Sequence, residues 1–112
     1  MIARATAVLH ALARSDTDAL DRLCHDDVFI WGTDEDEEWR GKAATLSAFR
    51  GAYDLDVRWA GEPMARGQWV AGVVEFESPG ADRRPGQAPA RARVSMVFAG
   101  DLLAHAHYSV AR

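Results

Sequence analysis

The chain has 112 residues, 48% of them hydrophobic, and a formal net charge of -4 at pH 7. This length suits one domain, residues 1–112, and the apolar content is too high for a disordered chain. The acidic balance argues against a nucleic-acid partner, and no apolar stretch reaches the roughly 20 residues that a membrane span needs.

The cysteine and lysine content predicts the compartment and the source. Cys24 is the only cysteine, which excludes an internal disulfide and fits a reducing cytoplasm. The first residues contain His10 and Arg14 where a secretion signal needs an apolar core. Twelve of the thirteen basic residues are arginine, a bias that points to a bacterial genome of high GC content. We therefore expect a cytoplasmic bacterial protein.

Two helices and a strand are predicted at the start of the chain. Apolar residues recur at helical spacing over residues 3–13. Ser15 or Asp16 can then cap a second, short helix that ends near His25. The next segment, Val28–Trp31, combines β-branched and aromatic residues and predicts a strand.

An acidic run, Asp34–Glu38, separates this strand from a third predicted helix, residues 42–53. The simplest interpretation of the run is a solvated loop, and a cation site is the less favoured alternative. Trp39 follows directly, and an aromatic ring beside charges needs burial on one side. The third helix carries one apolar face, made of Ala43, Leu46, Phe49 and Tyr53.

The second half of the chain is predicted to be β. The segments "DVRWAG", "QWVAGVVEFES", "RARVSMVFA" and "LLAHAHYSVA" favour strands, and Gly100 and Asp101 join the last two in a tight turn. Three prolines and two glycines predict that Pro79–Pro89 is a loop or a disordered hairpin tip. The order of elements predicts an α+β domain, with three helices on one face of a curved, mostly antiparallel sheet.

Two histidines stand one residue apart in the last strand. Because side chains alternate along a strand, His105, His107 and Ser109 share one face with Leu103. If the helices cover this face, the histidines line a cavity; otherwise they lie on an exposed or subunit-contact face. We interpret them as pocket-lining residues, with a catalytic role as an open hypothesis.

Charged residues on the two preceding strands offer a further pattern. Arg93 and Ser95 share one face of their strand, as Glu75 and Glu77 do on theirs. Buried charges need partners, which predicts an Arg93–Glu75 pair. The alternative is that these residues face water, as one side of an antiparallel sheet can.

A metal site at the histidines is the less favoured interpretation. His105 and His107 present two imidazoles on one face, but a catalytic zinc site needs a third protein ligand. Glu75 is the only candidate by strand order. We therefore predict no metal and no cofactor.

The ordered set of these segments resembles the nuclear transport factor 2-like superfamily. The branch it resembles is the SnoaL-like one, related to the association domain of calcium/calmodulin-dependent kinase. The segment "LDRLCHDDVFIWG" resembles the family's helix, acidic break and first strand, and "EEWRGKAATLSAF" resembles its Glu-x-Trp-x-Gly segment. The endings "ARVSMVF" and "HAHYS" resemble the last two strands, the first bearing an arginine and the second a His-x-His-x-Ser pattern.

The resemblance implies a cone-shaped α+β fold, a cystatin-like roll, whose sheet wraps the helices and encloses a pocket. It also implies a homodimer. Residues placed in the pocket by the resemblance and by strand alternation are Trp31, Trp39, Tyr53, Glu75, Arg93, His105, His107 and Ser109.

Steroid isomerase chemistry is not implied by the residues at the matching positions. Ketosteroid isomerases of this superfamily use an aspartate base just after the first strand, where this chain has Gly32. Their second, hydrogen-bonding aspartate falls near Val94. The Asp–Arg–Asp set of limonene epoxide hydrolase relatives is not visible either.

These observations favour a small dimeric protein that binds a small organic molecule, acidic or aromatic. Trp31 and Trp39 would stack on it, and Arg93 with the histidines would anchor its polar groups. The alternative is a polyketide cyclase or isomerase in which His105 or His107 moves a proton. A purely structural interpretation makes the sheet face a dimer surface that buries Trp59, Trp69 and Tyr108.

Overall fold

The computed structural model describes residues 1–79 and 88–111, so most of the predicted loop Pro79–Pro89 lies outside the described residues. The helices and strands of the described residues are α1 (Ile2–Ala13), α2 (Thr17–Leu23), β1 (Cys24–Trp31), β2 (Glu38–Arg40), α3 (Lys42–Phe49), β3 (Asp56–Trp59), β4 (Met64–Arg66), β5 (Trp69–Glu77), β6 (Ala90–Ala99) and β7 (Leu102–Val110).

The strands of the described residues form one curved sheet in the order β2-β1-β7-β6-β5-β3, with β4 paired to β5. Only the β1–β7 pairing is parallel; the others are antiparallel. The predicted α+β class, with three helices and a mostly antiparallel sheet, is confirmed. The parallel β1–β7 pairing brings the acidic segment after β1 beside the end of β7.

Several predicted boundaries shift. Asp16 is the cap of α2, since its side chain accepts a hydrogen bond from the backbone N–H of Ala19. The third helix ends at Phe49 instead of residue 53, because the chain turns at Gly51, which has a φ of 64°. Tyr53 therefore leaves the helix, and its backbone N–H donates to Ser15 Oγ at 2.8 Å. Strands β2 and β4 are three residues long, too short for alternation to reveal.

The core lies between the helices and the inner face of the sheet. Alternate residues of β6 point inward, so that Met96 and Phe98 are buried while Val97 between them is 40% exposed. Cys24 is also buried, and that burial raises the pKa of its thiol to about 11. Buried residues from α1, α2 and β1 complete the core, among them Val8, Leu20, Val28 and Ile30.

A β-bulge at Ala104 interrupts the regular in-and-out alternation of side chains along β7. Val97 pairs with His105 and Phe98 pairs with Leu103, so Ala104 has no partner on β6. Leu103 is fully buried, whereas His105 is exposed. The prediction that Leu103 and His105 share a face is therefore wrong, because the extra residue moves Leu103 to the inner side.

Candidate functional site

The helices and the inner face of the sheet form a cavity of about 180 Å³ that is partly open to solvent. A cavity of roughly 150 Å³ with an apolar lining is large enough for benzene. This one therefore has room for a single substituted ring. Its wall is mainly apolar, with Leu9 and Leu12 from α1, Phe49 from α3, and Val74, Val94 and Met96 from the sheet.

Glu37 and Tyr108 bring polar chemistry to this apolar wall. Both line the cavity, and the Tyr108 hydroxyl donates to Glu37 Oε2 at 2.7 Å. Glu37 Oε1 accepts a second hydrogen bond, from the backbone N–H of Asp34 at 3.0 Å. The carboxylate is thus held in place by one phenol and one amide, each on a different side-chain oxygen.

The segment from Gly32 to Glu37 is a closed turn attached to the end of β7. The backbone N–H of Gly32 donates to the carbonyl oxygen of Glu37 at 2.7 Å. Thr33 Oγ1 accepts from the backbone N–H of Val110, also at 2.7 Å. A methyl group on Gly32 would lie 2.6 Å from the ring of Tyr108. The absence of a side chain at Gly32 is therefore what lets the Tyr108 ring lie against this turn.

Tyr108 stays a neutral hydrogen-bond donor across the physiological range. Burial is the main cause that raises the pKa of its phenol far above the ordinary value of 10.0, and the hydrogen bond to Glu37 raises that pKa further. The nearby phenol of Tyr53 acts in the same direction. Tyr53 also lines the cavity and is 41% exposed, so the cavity has a phenol that reaches solvent.

Two of the sequence-predicted site residues, Tyr53 and His107, border the cavity, but the His107 ring itself stacks on Trp31 on the outer face. His105 and Trp31 do not border the cavity, because they lie on the outer face of the sheet with Phe29. The Trp31 ring stacks on Phe29 at 4.9 Å and on His107 at 4.7 Å, and His105 meets Trp31 edge-on at 4.8 Å. The expected pocket position of His105 is therefore corrected, and its catalytic role stays a prediction.

Glu75 belongs to an ion-pair group on the outer face. It pairs with Arg91 at 2.8 Å and with Arg58 at 3.0 Å, and these pairs lower the pKa of its carboxyl. The predicted Arg93–Glu75 pair is wrong, because Arg91 is opposite Glu75 in the sheet and Arg93 is opposite Val73.

The remaining predicted residues also lie outside the cavity. Arg93 and Ser109 are exposed and opposite each other on the outer face. Trp39 is half-buried and meets Phe49 edge-on at 5.1 Å, so that it supports the cavity wall from behind. The predicted burial of Tyr108 at a dimer surface is corrected as well, since this side chain lines the cavity.

Sequence reasoning missed Glu37 and Tyr108 as a pair. The two lie 71 positions apart, and only the parallel β1–β7 pairing brings them into contact. Glu37 is embedded in an acidic run that is typical of a solvated loop. One signal could have singled it out, because Glu37 is the first residue of the Glu-x-Trp-x-Gly segment.

Within residues 1–79 and 88–111, no three His, Cys, Asp or Glu side chains are grouped so that they could hold a metal ion. In the same part of the chain, no helix has the length and apolar character to cross a membrane.

The sequence matches the SnoaL-like domain over residues 5–107. No curated protein matches it. Among solved structures, an NTF2-like protein of unknown function from Cytophaga hutchinsonii superposes with a TM-score of 0.72 and 10% identity, covering 96% of this chain and 87% of that one. A protein of unknown function with a cystatin-like fold from Xanthomonas campestris superposes with a TM-score of 0.73 and 18% identity, covering 99% of this chain and 90% of that one.

A third similar structure carries a functional name. It is a protein provisionally named a SnoaL-like polyketide cyclase, from Shewanella putrefaciens, with a TM-score of 0.73 and 16% identity, covering 96% of this chain and 77% of that one. At such identities the likeness shows the fold alone, which is the NTF2-like, cystatin-like fold expected from the sequence. The relation to the kinase association domain stays a prediction.

Proposed function

The chain belongs to the SnoaL-like domain family, and from that premise we propose that it binds one small, mainly apolar organic molecule in the cavity. The observation that carries the proposal is an apolar cavity of about 180 Å³ with one polar pair, Glu37 and Tyr108, in its wall. Ligand sites typically combine an apolar lining with a few convergent polar groups. The acidic ligand expected from Arg93 has lost its support, because that arginine lies on the outer face.

Benzyl alcohol is a suitable first probe, since it joins one ring to one hydroxyl group that can donate a hydrogen bond to Glu37. We expect saturable binding with a Kd on the order of 0.1–1 mM, the range of a ligand with so few atoms. The measurement is an NMR titration of the protein with the probe.

The variant Ala106→Leu tests whether the cavity is the binding site. Ala106 is buried and lines the cavity, so three added carbons occupy the space of the ligand. We expect benzyl alcohol binding to weaken at least about tenfold, with folding unchanged or slightly stabilised by the filled space. The matched control is Ala71→Leu, the same change on β5 at a residue outside the cavity lining. Equal binding by both variants would place the ligand elsewhere.

Catalysis is a second candidate function, favoured by the direct contact between Glu37 and Tyr108. A carboxylate can accept a proton, and a neutral phenol can donate a hydrogen bond to an oxygen, which are two roles that an isomerase or cyclase needs. Of the two histidines expected as the base, only His107 borders the cavity, and its ring stacks on Trp31 on the outer side of the strand. A catalytic role requires turnover that disappears in Glu37→Gln, whereas binding alone requires none.

We also propose a homodimer that forms through the outer sheet face. Trp69, Val97 and His105 lie opposite one another on neighbouring strands, and Trp69 and Val97 are 37% and 40% exposed. We expect sedimentation to give twice the chain mass of 12.3 kDa and Val97→Arg to give the monomer. The control is Ile2→Arg on α1, where the replaced side chain is also 40% exposed. A monomeric wild-type protein would refute the dimer.

A further inference from the structure

The cavity contains a carboxylate without a cationic partner among the described residues. Glu37 accepts hydrogen bonds from Tyr108 and from the backbone of Asp34, and both donors are neutral. Within residues 1–79 and 88–111, none of the ion pairs involves Glu37. Glu37 is half-buried, so the attraction of an opposite charge to it is less screened by water than at an exposed carboxylate. The bound molecule is the component that can supply that charge.

His107 also borders the cavity, and among the described lining residues it is the one whose side chain could carry a positive charge. Its ring stacks on Trp31 at 4.7 Å, on the outer side of the strand. No ion pair joins it to Glu37. His107 therefore leaves Glu37 without a cationic partner inside the cavity.

We propose that the ligand is a small organic amine in its protonated form, with the ammonium group on Glu37 and an apolar or aromatic body against the cavity wall. This inference rests on the proposed function and names the ligand class for the same site. The second lone pair of each Glu37 oxygen is available to an ammonium group, which has three donors. An alcohol can also donate a hydrogen bond to this carboxylate, but only an ammonium group adds the attraction between opposite charges.

The rest of the lining agrees with a cationic ligand and disagrees with an anionic one. Phe49, Tyr53 and Phe76 are aromatic, and aromatic rings attract cations over their faces. The phenol oxygens of Tyr53 and Tyr108 add hydrogen-bond acceptors. No arginine or lysine of the described residues lines the cavity. A carboxylic acid would thus meet the like charge of Glu37 with no cation to balance it.

The test compares three probes that share one ring and differ in one group: benzylamine, benzyl alcohol and benzoate. Calorimetry or NMR titration at neutral pH measures each Kd with the wild-type protein. We expect benzylamine to bind about tenfold more tightly than benzyl alcohol, and benzoate to bind at least about tenfold more weakly. Because the wild-type protein gives this order, the test does not depend on a variant that folds.

Two matched variants then assign the preference to one carboxylate. Glu37→Gln keeps the size of the side chain and removes its charge, and we expect the amine and the alcohol to bind within about threefold of each other. Glu38→Gln makes the same change one residue away, at an exposed side chain paired with Arg40 at 2.9 Å. We expect this control to keep the full preference for the amine.

The outcomes separate the ligand class from the binding function itself. If benzyl alcohol binds the wild-type protein as tightly as benzylamine, the amine inference is overturned and the proposed binding function stands. An unchanged preference in Glu37→Gln overturns the inference in the same way. If none of the three probes binds, the proposed function fails, and the amine inference fails with it.

Discussion

Leu103→Ala should destabilise the protein by about 2–5 kcal/mol, the usual cost of truncating a fully buried leucine. Leu103 is 0% exposed and belongs to the core that β7 shares with the helices. The large cost has two parts, the lost burial of the removed methyl groups and the cavity left behind. Chemical denaturation of the purified variant measures the free energy of unfolding.

The matched comparison is His105→Ala, two residues further along the same strand. His105 lies on the outer face, and its ring touches Trp31 and Phe29 at centroid distances of 4.8 and 5.2 Å. We expect His105→Ala to lower the free energy of unfolding by about 1 kcal/mol or less, the usual contribution of an exposed aromatic contact. Regular alternation would give the two residues the same environment, so similar costs would contradict the bulge at Ala104.

Gly32→Ala should disconnect Tyr108 from Glu37. The added methyl group would lie 2.6 Å from the ring and 2.7 Å from the hydroxyl oxygen, so the ring must move, and the cavity is the space open to it. The hydrogen bond to the carboxylate is then lost, at a cost of about 1.5–3 kcal/mol. The displaced ring also occupies the ligand's space, so benzyl alcohol binding should weaken together with stability.

A double-mutant cycle isolates this contact. Gly32 has no positive φ, so alanine there strains no backbone. In a Tyr108→Ala background, where no ring is present to collide with, Gly32→Ala should cost less than about 0.5 kcal/mol. The free energies of unfolding of the wild type, the two single variants and the double variant give the coupling energy between Gly32 and Tyr108. A cost that is equal in both backgrounds would show that Gly32 does not act through Tyr108.

The fold was largely predictable because its elements have strong local signals. The helical spacing of apolar residues located α1, and the turn at Gly100 and Asp101 located the β6–β7 hairpin. Alternation correctly grouped His105, His107 and Ser109 on one face. It could not decide which face the helices cover, because that depends on packing between distant elements.

The candidate site was much less predictable, for physical reasons that concern particular residues. The bulge at Ala104 leaves no mark in the composition of β7, yet it moves Leu103 to the inner side. The Glu37–Tyr108 contact depends on a parallel pairing between the first and last strands. Arg93 was expected to be a ligand anchor because the family resemblance placed an arginine of this strand in the pocket, but it lies on the outer sheet face, which accommodates polar residues.

The position of a bound ring distinguishes the cavity from the outer sheet face as the ligand site. Met96 and Val97 are neighbours on β6, but Met96 is 1% exposed in the cavity wall and Val97 is 40% exposed on the outer face. We would measure nuclear Overhauser effects between the ring protons of benzyl alcohol and the methyl groups of both residues. We expect contacts to the Met96 methyl group and none to Val97. Contacts to Val97 without any to Met96 would contradict binding in the cavity.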